Sequence, residues 1–382
     1  MRVGILTLPL HTNYGGILQA YALQTALQRL GHDVCIVNLP VRREDRKLVW
    51  KTYLKRLAAN CLFRRKPLRA WPDSAERAVM CRHTGRFVSR YLRVVPCGSV
   101  PELPALTERE KIEAYVVGSD QVWRPGYSPD IPAYFLDFVQ GRPMRKVAYA
   151  ASFGVDRWEF TPQLTARCAG LAQGFHALSV REDSAVELCR RYLGAEALHV
   201  PDPTLLLEKE AYEALLPSAT AGSATGPAQL MAYVLDKSAA KTGWIRQIAE
   251  SKRLEVNSVG AEARFWDVGK KGVERCVAPP VETWLAGFKN AAYVVTDSFH
   301  GTVFSILFRK PFVCIVNRSR GATRFTSLLT ALGLTDRMVE ADAWEGDCPL
   351  LDKPVDYDAV EARLKQERNK GYAFLQEALA VE

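Results

Sequence analysis

AYVVTDSFHGTVFSILF, residues 292–308, joins an apolar strand to a capped helix within one short run of chain. AYVVT is small, aromatic or β-branched, as a strand buried on both faces requires. Asp297 and Ser298 follow, both strong helix-capping types, and the apolar spacing then turns helical from Phe299. A buried strand feeding a helix is the repeating unit of a parallel α/β sheet, which binds ligands outside the carboxyl ends of its strands. The helix N-terminus there offers N–H groups and a positive dipole end to an anion. Gly301 lets a ligand approach the backbone, and His300 is placed to bind phosphate or move a proton. The competing reading is a capped helix with an incidental histidine.

The same alternation extends outward in both directions. Toward the N-terminus, strands are expected at residues 2–8, 33–38, 114–118, 146–151, 177–180 and 197–200, with helices at 17–30 and 182–193. On the C-terminal side the series 230–235, 255–259, 293–296 and 311–316 alternates with helices at 239–251 and 281–290, and a long helical pattern fills 357–379. Between them, residues 216–228 (LPSATAGSATGPA) have the composition of a linker or exposed loop. The expected architecture is α/β, with two Rossmann-like domains facing across a cleft. They comprise residues 1–205 and 206–345, and 346–382 is a helical segment packing back on the fold.

Two further strand ends carry chemistry. In LSVREDS (178–184) Arg181 stands where a strand gives way to a helix, a planar fork suited to carboxylate or phosphate. A surface ion pair with Glu182 or Asp183 is the alternative. Arg181 and His300, at strand ends of different domains, are positioned to meet across one cleft around a small anion. The loops HTNYGG (11–16) and GSDQVWR (118–124) bring Asn13, Tyr14, Asp120, Gln121 and Trp123 to neighbouring strand ends. A carboxylate, an amide and an aromatic ring suit a sugar, while Asp120 as a helix cap and Trp123 as core are equally open. The Asp356–Tyr357–Asp358 triplet resembles a metal–nucleotide motif, but its place before a helix makes it a cap.

Composition narrows the field. With 382 residues, 48% hydrophobic and 24% charged, the chain has a globular composition, and no apolar run approaches the ~18–20 residues of a membrane span. There is no G-x-G-x-x-G, Walker A, H-E-x-x-H or G-x-S-x-G. The nine cysteines are scattered and never in a C-x-x-C pair, the usage of buried thiols in a reducing compartment, so a cytoplasmic protein without a zinc site is expected. Residues 42–69 hold eleven Lys/Arg against two acids, a local +9 that equals the net charge of the whole chain. A basic nucleic-acid groove spread over the fold is therefore not expected. Trp50, Leu54, Leu57 and Cys61 follow helical spacing in that segment with lysines on the flanks. This is the pattern of a helix lying on an anionic membrane surface or of one packed on its own domain.

Taken in order, NYGGILQAYAL, VGSDQVW, SVREDS, PDPTLLL and DSFHGTVFSILF resemble the polysaccharide pyruvyl transferase family over roughly residues 2–335. The resemblance implies a GT-B-like fold whose donor is phosphoenolpyruvate, a co-substrate, with no further cofactor and no metal. It implies transfer of the pyruvyl group to two hydroxyls of a sugar in a bacterial cell-surface polysaccharide, or of its polyprenyl-phosphate-linked precursor, with release of phosphate. By this likeness the donor site comprises Arg181, Ser298, Phe299, His300 and Gly301. Asn13, Tyr14, Asp120, Gln121 and Trp123 face the acceptor, with His300 as acid or phosphate ligand and Asp120 as base. The alternatives are a GT-B glycosyltransferase using a nucleotide sugar and a non-enzymatic glycan-assembly protein. The expected location is cytoplasmic, with peripheral contact at the inner face of the membrane.

Overall fold

The computed structural model describes residues 1–41, 46–63, 67–217, 227–316, 321–340 and 351–380. Most of the Ala/Gly/Ser-rich stretch (218–226) and residues 42–45 and 64–66 of the basic segment lie outside the described residues.

Two parallel sheets carry the molecule. The first contains β1 (Arg2–Leu6), β2 (Asp33–Asn38), β3 (Val94–Pro96), β4 (Ala114–Val117), β5 (Arg145–Ala151), β6 (Ala177–Val180) and β7 (Leu198–His199). Their spatial order is β3-β2-β1-β4-β5-β6-β7. The second contains β8 (Gln229–Tyr233), β9 (Glu255–Asn257), β10 (Tyr293–Thr296), β11 (Phe312–Val316) and β12 (Met338–Glu340), in the order β12-β11-β10-β8-β9. Every pairing is parallel. Each sheet is thus Rossmann-like, and the paired α/β architecture is the one expected. The central strands β4, β10 and β11 are buried along their whole length because helices cover both faces.

Strand order reverses between β1 and β4 in the first sheet and between β8 and β10 in the second. Crevices at such switch points are where open α/β sheets hold ligands. The loops after β1 and β4 are HTNYGG and GSDQVW, and the turn after β10 is DSFHG. These three motifs therefore sit at the two switch points, whereas LSVREDS follows β6, two strands away from the first.

The halves are sewn together. The Tyr14 ring stacks on Trp284 at 5.5 Å, and its hydroxyl donates to the Pro279 carbonyl at 2.9 Å. One apolar cluster runs from Val3 through Trp284 and Phe304 to Leu379. The helix Tyr357–Leu379, capped by Asp356 as its sequence suggests, returns to the first sheet. There Phe374 meets Tyr149 at 6.0 Å, Arg145 Nη1 donates to the Ala378 carbonyl at 3.3 Å, and Arg368 Nε donates to the Leu205 carbonyl at 3.2 Å.

The basic segment forms the helix Arg46–Phe63. Arg56 fixes it: this guanidinium is buried, donates to the carbonyls of Pro67 (2.7 Å) and Trp266 (3.1 Å), and lies 4.0 Å over the Trp266 ring. Trp50 and Leu54 do not pack on the domain; they are 64% and 55% exposed. Among the described residues no helix is long and apolar enough to cross a membrane.

Candidate functional site

Six strand-end loops, those after β1, β4, β6, β7, β10 and β11, contribute residues to one charged cluster. β6 ends at Val180, and the next residue, Arg181, donates its backbone N–H to the Ala151 carbonyl at 3.1 Å, which holds it against the end of β5. Its guanidinium donates through Nη1 to Asp202 Oδ2 at 2.8 Å and through Nη2 to Asp120 Oδ1 at 3.2 Å, with the Phe299 ring 4.7 Å beneath. Asp120 has φ 68°, a left-handed conformation that Asp tolerates better than most residues, and pairs with Ala151 as a single bridge.

Asp202 is the hub. It follows β7 in the turn Pro201–Asp202–Pro203 and is fully buried. Oδ1 accepts from the Thr204 N–H (3.0 Å) and hydroxyl (2.7 Å), which fixes the carboxylate plane. Oδ2 accepts from Arg181 and from Ser119 Oγ at 3.3 Å, and His300 Nε2 stands 3.7 Å away. His300 arrives from the other half, on the first turn of the helix Phe299–Leu307. Its ring rests on Gly15, in the first turn of the helix Tyr14–Arg29, where any Cβ would fall inside the imidazole. Glycine at 15 is therefore required by the histidine.

The charges compensate one another. Burial alone would raise the Asp202 pKa, but His300 and Arg181 outweigh it and hold the carboxyl far below the usual range. Asp120 is likewise lowered, burial being overcome by Arg181, His300 and Arg324. Burial would lower Arg181, yet Asp202 and Asp120 raise it, so it stays charged. A second guanidinium, Arg324 of the helix Thr323–Leu332, faces the same group from the second half. Burial and the neighbouring Arg181 pull it down to about 10, against Asp120 and Glu182. Behind Arg181, Glu182 is fully buried and accepts from Ser152 Oγ and the Gly154 N–H, each at 2.8 Å.

Buried groups left over mark where something polar would fit. Arg181 Nε and His300 Nε2 are buried without a hydrogen-bond partner among the described residues, one from each half. On the Arg181 side lies a small cavity of about 20 Å³, room for roughly one water, lined in part by Arg181, His199, Asp202, Phe299 and Ser327.

Of the residues expected at the donor side, all lie in these turns, but three do structural work. Ser298 caps its helix by accepting from the Gly301 N–H at 3.3 Å. Gly301 is glycine because a Cβ would strike the Thr296 hydroxyl, not because a ligand approaches. Phe299 is the platform under Arg181. Arg181 forms no surface pair with Glu182 or Asp183; its carboxylate partners are Asp120 and Asp202.

The acceptor set needs correction. Trp123 is fully buried, its Nε1 donates to the Tyr134 carbonyl at 2.9 Å, and its ring stacks on Phe135 at 4.7 Å; it is core and offers no face to a sugar. Tyr14 is absorbed in the seam between halves. Asn13 is exposed and caps its helix, accepting from the Gly16 N–H at 3.2 Å. Gln121 Oε1 accepts from Arg124 Nη1 at 2.9 Å and occupies the space a side chain at Gly154 would need. Asp120 is an ion-pair partner whose lowered pKa makes it a weak base. Asp202 and Arg324 are the residues that strand-end reading passed over. Both were within its reach, since Asp202 follows β7 and Arg324 follows β11.

A family model for polysaccharide pyruvyl transferase matches residues 13–319. No curated protein sequence matches the chain. Among solved structures, the chain is similar to a spinosyn forosaminyltransferase (13% identity, 98% of this chain and 95% of that chain, TM-score 0.49). It is also similar to a UDP-GlcNAc 2-epimerase from Methanocaldococcus jannaschii (12% identity, 96% and 92%, TM-score 0.48). A UDP-GlcNAc 2-epimerase from Neisseria meningitidis gives 8% identity, 100% and 95%, and a TM-score of 0.48. Asp120, Arg181, Asp202 and His300 all fall inside the residues the family model covers, and the chain belongs to the polysaccharide pyruvyl transferase family.

Proposed function

We propose that the protein moves the pyruvyl group of phosphoenolpyruvate onto two hydroxyls of a sugar in a cell-surface polysaccharide or its lipid-linked precursor. The observation that carries this is a pair of buried nitrogens without a hydrogen-bond partner among the described residues, Arg181 Nε and His300 Nε2, contributed by opposite halves to the surroundings of Asp202. Phosphoenolpyruvate is a small dianionic to trianionic ligand, and Arg181, Arg324 and His300 supply the cationic and ring N–H groups it requires.

In this reading His300 delivers a proton to the methylene carbon or holds the departing phosphate. Protonation leaves a cationic centre at C2, which the first hydroxyl oxygen attacks. The second hydroxyl oxygen then displaces phosphate as the C2–O(phosphate) bond breaks. Of the two hydroxyl protons, one balances the proton gained by the methyl group and the other leaves with phosphate. Asp120 and Asp202 keep Arg181 in place and charged.

The test is incubation with phosphoenolpyruvate and candidate sugars, with phosphate release and mass gain as readouts. His300→Gln should lower turnover by ~10²–10⁴-fold with thermal stability retained. Near-normal turnover in that variant would return His300 to a structural role. Binding of a nucleotide sugar without turnover of phosphoenolpyruvate would replace the proposed donor.

A further inference from the structure

We infer that the helix Arg46–Phe63 is a docking element for an anionic lipid surface and that it holds the cleft mouth against that surface. This goes beyond the reaction itself and concerns where the protein works.

The apolar surface is concentrated, not scattered. Of the ten large hydrophobic side chains exposed among the described residues, five belong to this helix: Val49, Trp50, Tyr53, Leu54 and Leu57. At 100° per residue they share one arc of roughly 140°. On the same helical wheel buried Arg56 adjoins the Val49 edge of that arc, and Lys51 and Lys55, both exposed, lie about 60° and 100° beyond its Leu54 edge. Trp50 and Tyr53 pack edge to face at 6.0 Å, two rings of the type that settles at a headgroup boundary. The helix is thus pinned at Arg56, along one edge of the arc, and leaves the arc itself exposed, the reverse of a helix that completes a core.

Charge selects the occupant. The helix contains five basic residues and no acid, within a segment that carries the chain's whole net charge of +9. A second copy would bring the same positive face to the contact and meet repulsion, whereas an anionic bilayer attracts it. An exposed apolar arc that contains two aromatics, with lysines on the remaining exposed face, is the construction of an interfacial helix.

Position supplies the purpose. The helix follows β2 and docks through Arg56 on Trp266, which follows β9. It therefore ties chain that leaves the carboxyl end of β2 to chain that leaves the carboxyl end of β9, as Arg181 and His300 follow the carboxyl ends of β6 and β10. A sugar carried on a lipid would be presented at those ends.

The experiment is co-sedimentation of the full chain with vesicles of phosphatidylglycerol and phosphatidylcholine in equal parts, against phosphatidylcholine alone, with sedimentation velocity in parallel. Expected is salt-sensitive binding to the anionic vesicles only. A Lys51→Gln/Lys55→Gln variant should partition roughly 30-fold more weakly, from about 1 kcal/mol per basic residue. A Trp50→Ser/Leu54→Ser variant, whose changes are exposed and should leave the melting temperature unmoved, should lose binding. Absence of binding by the wild type, or equal binding by the serine variant, overturns the inference. So does self-association that the serine variant abolishes, which would assign the face to a second copy.

Discussion

Asp202→Asn tests the hub with almost no change of shape. The wild-type carboxylate is fully buried and accepts from Arg181, Ser119 and both Thr204 donors, with His300 at 3.7 Å. Removing one partner of a buried ion pair costs about 3–5 kcal/mol, because the other charge is left uncompensated. Arg181 keeps Asp120 at 3.2 Å, so the low end, about 3 kcal/mol, is expected at neutral pH. For a cooperative unit of about 150–250 residues, at about 2–4 °C per kcal/mol, this is a drop of about 6–12 °C in melting temperature. The pH dependence has a definite sign. The folded pKa of Asp202 lies below its unfolded value of about 3.9, so its contribution is complete above that value and disappears as pH falls toward the folded one. The gap between wild type and variant should be constant from neutrality to about pH 5 and should narrow below about pH 4. Thermal unfolding of both proteins across that range is the assay. A gap under about 1 kcal/mol at pH 7, or one that persists undiminished in acid, would show that the carboxylate is not the compensating charge.

Two other substitutions probe the packing of the site. Gly15→Ala places a methyl group inside the His300 ring and should lower turnover as far as His300→Gln does, with the double variant no worse than either; additive losses would separate the two residues. Trp123→Ala should cost about 3–5 kcal/mol of stability as a core truncation, while Trp123→Phe should leave the acceptor KM unchanged. A raised acceptor KM in Trp123→Phe at unchanged melting temperature would restore that ring to the sugar site.

Strand ends were legible because their chemistry is local. A β-branched run, a capping residue and a titratable side chain in the next turn identify His300 and Arg181 without knowledge of anything distant. Partnership was not legible. Nothing in PDP tells that Asp202, 98 residues before His300, will stand 3.7 Å from it. Orientation was equally hidden: Trp123 sits three residues beyond Asp120, which faces the site, yet its ring turns into the core toward Phe135. Tyr14, one residue past an exposed cap, is drawn into a seam whose other wall is made by residues 279 and 284. Helical spacing at 50, 54 and 57 revealed a helix, but only Arg56, bonded to Trp266, shows which side of it faces the protein.

The return of the helix Tyr357–Leu379 to the first sheet has a consequence for synthesis. Gly371 lies so close to Tyr149, Leu206 and Pro201 that no Cβ fits there, and Phe374 covers the Tyr149 ring. A ribosome completes β1 to β7 long before it reaches those residues. The nascent first half therefore waits, with part of its apolar surface bare, while the whole second half is translated. The N-terminal half is therefore expected to be the part that aggregates when chain elongation stalls between residues 205 and 370.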